Sequence, residues 1–183
     1  MVLSVTGLRE QRLIERCLLR DRRAQKELFE VYAPKMLALC IRYMKDRDEA
    51  EDVLQDGFIT LFNQLEHFEG RGSFEGWARR IFVTTALMHL RKKDPLKMSD
   101  DITEMNFAGG QDYSQIAAMS HKELMKLVTG LPDGFRIVFN MYVIEGYSHK
   151  EIADMLGISE NTSRSQLSRA RLWLQQKIKE CGK

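Results

Sequence analysis

Cysteine is scarce in this chain of 183 residues, and its three copies are scattered. Cys17, Cys40 and Cys181 have neither the paired spacing of a zinc site nor the even number of a disulfide framework, so we predict reduced thiols. The four histidines do not cluster either, and each is predicted to lie at the surface or at the edge of the core. The sequence therefore predicts no metal site and no cofactor.

Long apolar runs are also missing, although 44% of the residues are hydrophobic and 30% are charged. No stretch approaches the length that a membrane span needs, and the opening residues, MVLSVTGLREQRL, lack the apolar core of a signal peptide. We therefore expect a globular protein of the cytoplasm.

An excess of one charge sign is absent from the whole chain, whose net charge is +2, but its parts differ. Residues 1–93 carry a net charge of +3, residues 94–113 carry −4, and residues 114–183 carry +3. The middle segment also contains a proline and a glycine pair, and it has no helical or strand period. We predict two domains, 1–93 and 114–183, joined by a flexible acidic linker at 94–113.

Strand-like alternation long enough for a sheet is missing as well, although RIFVTT is β-prone in isolation, and apolar residues recur at helical spacing instead. Asp21, Asp46 and Ser73 are placed to cap successive helices of the first domain. The helix after Asp46 is predicted to turn six apolar residues inward: Val53, Leu54, Phe58, Leu61, Phe62 and Leu65. The predicted fold is all-α, with two small helical domains.

Two short helical patterns close the chain, in YSHKEIADMLGISENTSRSQLSRARLWLQQKI. Ser148 and Glu151 have the spacing of a capping box, Gly157 is placed to end the first helix, and Ser159 is placed to cap the second. The inward stripe of the second helix is Ser163, Leu167, Ala170, Leu174 and Ile178. Its opposite side carries Asn161, Arg164, Ser165, Ser168 and Arg169. This pattern is typical of a helix-turn-helix that reads the DNA major groove, although an ordinary helical hairpin with a solvated basic face remains an alternative.

Charge is segregated between neighbouring parts of the first domain. Residues 46–69 hold eight acidic residues and one basic residue, whereas residues 71–93 hold six basic and one acidic. The acidic segment suits a basic protein partner, and the basic segment suits a nucleic-acid backbone. Four rings lie in or near the basic segment, where they are placed to stack on unpaired bases or to fill the core: Phe68, Phe74, Trp77 and Phe82.

These motifs, taken together, resemble bacterial RNA polymerase sigma factors, and most of all the extracytoplasmic-function group of the sigma-70 family. The resemblance covers about residues 21–178, apart from the linker. It is carried by DEAEDVLQDGFITLF, by SFEGWARRIFVTTALMHLRKK, and by LPDGFRIVFNMYVIEGYSHKEIADMLGISENTSRSQLSRARLWL. Three motifs in this order are far more specific than any one of them.

The resemblance implies a division of roles among the residues. Polymerase docking, on the β′ clamp coiled coil, would fall to Asp52, Gln55, Asp56, Phe58 and Ile59. Melting and holding of the -10 element would fall to Trp77, Arg79, Arg80, Thr84, Met88 and Arg91. Reading of the -35 duplex would fall to Asn161, Arg164, Ser165, Ser168, Arg169 and Arg171.

The resemblance also implies partners: core RNA polymerase through its β′ clamp and β flap, promoter DNA, and an anti-sigma factor that could hold the protein at the inner membrane. No small-molecule substrate is implied.

Four positions depart from the family pattern. Thr84 stands where asparagine is frequent, and Met88 stands where a polar Asp or Asn is common. Ser163 replaces a usual valine, so its hydroxyl needs a partner such as the carbonyl one turn earlier. Gln166 replaces a usual basic residue, which predicts one phosphate contact fewer and a weaker salt dependence.

Two other function classes fit parts of the sequence. A helix-turn-helix regulator that acts without melting would need a dimer or a receiver domain, and the first 93 residues show no βα alternation. An enzyme acting on nucleic acid could use Asp52 and Asp56 as metal ligands. However, no phosphate loop, no nucleophile–histidine set and no His/Cys cluster accompanies them.

Overall fold

The computed structural model describes residues 5–93 and 119–181 of the chain. Within these ranges every regular element is a helix, including the stretch RIFVTT, which is β-prone in isolation. The chain divides into two compact units, and the division falls between Met88 and His89. The predicted all-α fold is thus confirmed, whereas the predicted linker at 94–113 lies outside the described residues.

The first unit is built from long helices joined by short connections. In chain order they are α1 (Val5–Leu18), α2 (Arg22–Met44), α3 (Arg47–Gln64), a 3₁₀ turn (Leu65–His67) and α4 (Phe74–Lys93), whose last five residues lie beyond the division.

The three predicted N-caps of this unit begin their helices as expected. The carboxylate of Asp21 accepts hydrogen bonds from the second and third backbone N–H groups of α2. Asp46 does the same for α3, and the hydroxyl of Ser73 accepts from an N–H in the first turn of α4. Each cap satisfies donors that the helix itself leaves without partners.

The core of this unit lies where α2, α3 and α4 meet. Of the six residues of α3 and the 3₁₀ turn that were predicted to face inward, five are buried and Phe62 is half-buried. The ring of Phe58 packs against Phe29 of α2, with centroids 4.6 Å apart, and edge-on against Phe82 of α4 at 5.1 Å. Gly57 makes this approach possible, because it places no side chain between α3 and the Phe82 ring.

The second unit contains shorter helices and one long C-terminal helix. The described elements are α5 (His121–Gly130), α6 (Asp133–Phe139), a π-turn (Asn140–Ile144), α7 (His149–Leu156) and α8 (Glu160–Cys181). A buried cluster of Leu131, Phe135 and Ala170 joins the start of α6 to the middle of α8, and Trp173 and Leu174 pack beside it.

The π-turn interrupts the regular helix within the stretch DGFRIVFNMYVIEG, directly after Phe139. The backbone N–H of Glu145 donates to the carbonyl of Asn140, at 2.9 Å, five residues earlier. The wider turn holds an extra residue, which changes the direction of the side chains that follow. As a result Met141 is buried while Tyr142 and Val143 are exposed.

Candidate nucleic-acid and polymerase interfaces

Helices α7 and α8 form the predicted helix-turn-helix. Ser148 and Glu151 make a reciprocal capping box at the start of α7. Gly157 ends this helix in the left-handed conformation, with φ of 71°, and the N–H groups of Gly157 and Ile158 both donate to the carbonyl of Ala153. The hydroxyl of Ser159 accepts from the N–H of Thr162 at 3.0 Å and begins α8.

The predicted reading residues lie on the outer side of α8. Asn161, Arg164, Ser165, Ser168 and Arg171 are exposed, and Arg169 is half-buried. The guanidinium of Arg164 forms an ion pair with Glu160, at 2.7 Å, one turn earlier on the same helix. Because both side chains are exposed, this pair contributes little stability.

Two residues on the inner side of α8, Ser163 and Gln166, differ from what the sequence predicted. Gln166 is 1% exposed and lies against α6, where a β-carbon on Gly134 would be 3.2 Å from its amide nitrogen. It is therefore a packing residue, and the expected loss of a phosphate contact does not follow. Ser163 is 0% exposed, and its Oγ lies 2.9 Å from Nδ1 of His149 instead of being served by the carbonyl one turn earlier.

His149 is half-buried, as expected for a histidine at the edge of the core, but the sequence did not predict its contacts. Its imidazole stacks on Tyr142 with ring centroids 4.4 Å apart and planes 22° apart. Burial lowers the pKa of this imidazole, and Arg164 lowers it further, against an opposing effect of Glu160. The clue in the sequence was the polar Ser163 in an otherwise apolar stripe, which requires a polar partner across the helix pair.

The residues predicted to hold the -10 strand share one face of α4. Positions 77, 80, 84, 88 and 91 follow one another at intervals of three or four, so the helix aligns them along one side. Arg80, Thr84 and Arg91 are exposed, Met88 is 64% exposed, and Trp77 is half-buried. Arg79 lies beside this row, half-buried, with its guanidinium 3.8 Å from the Glu75 carboxylate.

Aromatic packing behind this row separates core rings from surface rings. Phe74 and Phe82 are buried, so for them the alternative of core residues is correct. Trp77 packs against Phe68 and Phe74, with centroids 5.3 Å and 5.6 Å away, but it keeps part of its surface exposed. Trp77 is thus a surface ring that core aromatics hold in place. Of the four rings, it is the one that lies among the predicted -10 residues on α4.

The outer face of α3 carries the predicted docking residues. Asp52, Gln55 and Asp56 are exposed, and Ile59 beside them is 60% exposed. Their spacing places them on one side of the helix. Phe58 is different, because it is buried between α2 and α4, so its ring supports this face from behind and is not available to a partner.

Within residues 5–93 and 119–181, no group of three or more His, Cys, Asp or Glu residues is arranged to hold a metal ion. Among the helices of the same ranges, none is long and apolar enough to cross a membrane.

Comparison with known proteins matches two parts of the chain to regions of one protein family. The family model for Sigma-70 region 2 matches residues 28–95, and that for Sigma-70 region 4 matches residues 121–174. The RNA polymerase sigma-H factor of Pseudomonas aeruginosa is 31% identical over 91% of this chain and 92% of its own. The ECF RNA polymerase sigma-E factor of Escherichia coli K12 is 31% identical over 93% of this chain and 95% of its own.

A solved structure shares the fold. The sigma factor RpoE in complex with the anti-sigma factor NepR from Bartonella quintana superposes with a TM-score of 0.54 at 22% identity, over 84% of this chain and 96% of that chain.

Two helical units, one carrying a helix-turn-helix, thus define a DNA-binding protein of the sigma-70 class. Within that class, the chain belongs to the extracytoplasmic-function RNA polymerase sigma factors. It is a transcription initiation factor that acts with core RNA polymerase at promoter DNA.

Proposed function

We propose that the outer side of α8 reads the duplex -35 element in the major groove. The observation that carries this proposal is the exposed polar row Asn161, Arg164, Ser165 and Ser168 on the first turns of α8, with the capped helix α7 packed behind it. Arginine pairs bidentately with guanine, and serine hydroxyls serve bases or phosphates. Arg169 and Arg171 lie further along the helix, where they meet the DNA backbone.

The row on α4 holds the unpaired -10 strand. Trp77 offers a ring face that its aromatic neighbours keep in place, and Arg80 and Arg91 supply positive charge along the same side. Bases stack on such a ring once they are unpaired, and phosphates follow the cations. Thr84 and Met88 lie between the arginines; the Thr84 hydroxyl donates to the carbonyl of Arg80, at 2.9 Å, so it meets the strand mainly through its methyl group.

The outer face of α3 docks on the β′ clamp of core polymerase. Its two carboxylates, Asp52 and Asp56, suit a basic partner surface, and Ile59 adds an exposed apolar contact beside them. The β flap is the second contact on polymerase, through the helix-turn-helix unit. Docking supplies free energy that offsets the cost of unstacking the -10 bases, about a few kcal/mol per step. We therefore expect little promoter binding by the isolated protein.

The protein acts by binding and is not an enzyme. Its place of action is the cytoplasm. Regulation by an anti-sigma factor is part of the proposal, supported by the structural relative from Bartonella quintana, which is described in complex with one. An anti-sigma factor embedded in the inner membrane would hold the protein there until it is released.

The decisive experiment is run-off transcription with purified bacterial core polymerase on a library of randomised promoters, with and without this protein. We expect initiation that depends on the protein, and its loss in the double variant Arg164→Ala, Arg169→Ala. Lys179→Ala is the matched control, because Lys179 is an exposed cation near the far end of the same helix. If core polymerase is unaffected but the protein alone shifts duplex DNA, a regulator that works without melting is the better account.

A further inference from the structure

A polar contact joins the two helices of the helix-turn-helix, and it has no part in the DNA contacts proposed for α8. His149 is the first residue of α7, and its Nδ1 lies 2.9 Å from Oγ of Ser163 in the first turns of α8. Ser163 is fully buried, and it is the residue directly before Arg164. The contact therefore fixes the backbone of α8 next to the arginine that is proposed to read DNA.

A third side chain keeps the imidazole in place. Tyr142 lies in the π-turn and stacks on the face of His149, while Ser163 contacts the edge of the same ring. The π-turn is itself tied down, since the N–H of Tyr147 donates to the carbonyl of Met141 at 2.9 Å. Three successive elements, the π-turn, α7 and α8, thus meet at one imidazole.

A hydrogen bond at this position does something that apolar packing does not. Apolar contacts stabilise the helix pair without a preferred direction, whereas a hydrogen bond holds its two atoms at a defined distance and angle. Base reading by Arg164 depends on similarly narrow geometry, because bidentate contacts need both bonds aligned at once. Phosphate contacts are less demanding, since they carry no sequence information.

We propose that His149 and Ser163 are positioning residues for promoter recognition: their contact sets the approach of α8 to the -35 bases, and Tyr142 holds the imidazole for it. This inference rests on the proposed reading of the -35 element by α8. It assigns to the pair an effect on sequence preference, beyond any effect on folding.

Two substitutions at position 149 separate the two contacts of the imidazole. His149→Asn keeps a polar group near the place of Nδ1 and removes the stacking ring. His149→Phe keeps a ring for Tyr142 and removes the polar atom. Ser163→Ala removes the same hydrogen bond from the opposite side. His67→Phe serves as a control for the exchange itself, because His67 is exposed in the first unit.

The assay uses the full-length protein with core polymerase on templates whose -35 element is randomised, and it measures the base preference at each position among the transcribed templates. We expect His149→Phe and Ser163→Ala each to lower the preference ratio about fivefold at the contacted positions, which corresponds to one hydrogen bond. The double variant should be no worse than either single one, since both remove the same bond. His149→Asn should retain more of the preference than His149→Phe, because it keeps a polar group but loses the ring that Tyr142 holds.

Other outcomes overturn the inference. An unchanged preference in His149→Phe, or a loss of total transcript with the same base preference, would leave the pair a purely structural role. Additive losses in the double variant would show that the two residues do not act through one bond. His149 is half-buried, so its variants are expected to fold, and Ser163→Ala gives an independent measurement. Arg164→Ala in the same assay distinguishes a failure of this inference from a failure of the proposed function. An unchanged base preference in that variant contradicts the proposed reading of the -35 element by α8 itself.

Discussion

Gly57 of α3 faces the ring of Phe82 on α4 so closely that a β-carbon at position 57 would stand 2.3 Å from Cε1 of that ring. Non-bonded carbon atoms do not tolerate this distance, so a side chain at Gly57 requires the Phe82 ring or the helix that carries it to move. These two helices carry the proposed docking face and the proposed single-strand face. Gly57 therefore allows the close packing of the two helices that carry these surfaces.

We predict that Gly57→Ala destabilises the first unit by up to about 2 kcal/mol. Overpacking costs about 1–3 kcal/mol, and the better helix propensity of alanine offsets about 1 kcal/mol of it. Trp77 reports on this unit and Trp173 on the other, so urea unfolding is followed by Trp77 fluorescence in a Trp173→Phe background. Adding Phe82→Leu should cost less in the Gly57→Ala variant than alone, because the smaller side chain makes room. A higher urea midpoint in Gly57→Ala would show that the contact is not restrictive.

An ion pair with one buried partner makes the stability of the second unit sensitive to one carboxylate. The guanidinium of Arg136 is 1% exposed, and its Nη1 donates to Asp133 at 2.6 Å and to the carbonyl of Leu131 at 3.3 Å. Burial lowers the pKa of Arg136, and the Asp133 carboxylate opposes this effect.

We predict that Asp133→Ala destabilises this unit by about 2–3 kcal/mol. Removing one partner of a fully buried pair costs about 3–5 kcal/mol, and Asp133 is partly exposed, so water replaces some of the loss. Trp173 fluorescence during urea unfolding, in a Trp77→Phe background, measures the change. Asp133→Asn should lose less, because an amide oxygen still accepts a hydrogen bond. Equal losses for both variants would mean that shape, not the acceptor, is what the site needs.

Asp21 predicts a dependence of stability on pH. The Arg16 guanidinium, which donates to it at 2.8 Å, and two backbone N–H groups at the start of α2 lower the pKa of this carboxyl below its ordinary value of 3.8. The ionised form is favoured in the folded state, so its contribution is complete above the unfolded pKa. It is lost as the pH falls below about 4 and through the lower folded pKa.

For Asp21→Asn we therefore expect a smaller loss of stability between pH 6 and pH 3 than for the unaltered protein, because asparagine still caps the helix but does not titrate. The measurement is the urea midpoint at a series of pH values. Equal pH profiles for the two proteins would show that the carboxylate has no net effect on folding.

Arg164 and Arg171 should differ in how their loss changes promoter binding by the holoenzyme. If Arg164 contacts a base edge, Arg164→Ala relaxes the preference at one promoter position by about 1–3 kcal/mol. If Arg171 contacts phosphate, Arg171→Ala weakens binding to all promoters alike and lowers the slope of log affinity against log salt by about one. Titrations at several salt concentrations on two promoters separate these effects. The opposite assignment of slope and preference would exchange the two roles.

The caps and the glycine turn were predictable from the sequence because they depend on neighbours in the chain. Asp21, Asp46, Ser73 and Ser148 begin helices where local spacing places a side-chain acceptor, and Gly157 ends one where a left-handed residue is needed. Such features require no knowledge of distant contacts.

The remaining features depend on contacts between elements, which spacing does not contain. Phe58 was assigned both to an inward stripe and to a docking face, and only the packing of three helices decides for the core. Gln166 looked like a lost cation, but it fills the space above Gly134. The π-turn changes the helical register by one residue and thereby brings Tyr142 to His149, a partnership that no regular period predicts.

The Glu160–Arg164 pair has a kinetic consequence. Glu160 lies in the first turn of α8, on the side proposed to face DNA. Because it pairs with Arg164, the two charges nearly cancel, and DNA of any sequence is attracted less strongly than by an unpaired arginine. A phosphate that displaces the carboxylate only exchanges one anion for another, whereas a guanine adds two bonds at a position that the base sequence defines. We expect polymerase that carries this protein to dissociate quickly from non-promoter DNA and slowly from promoters that have the matching base.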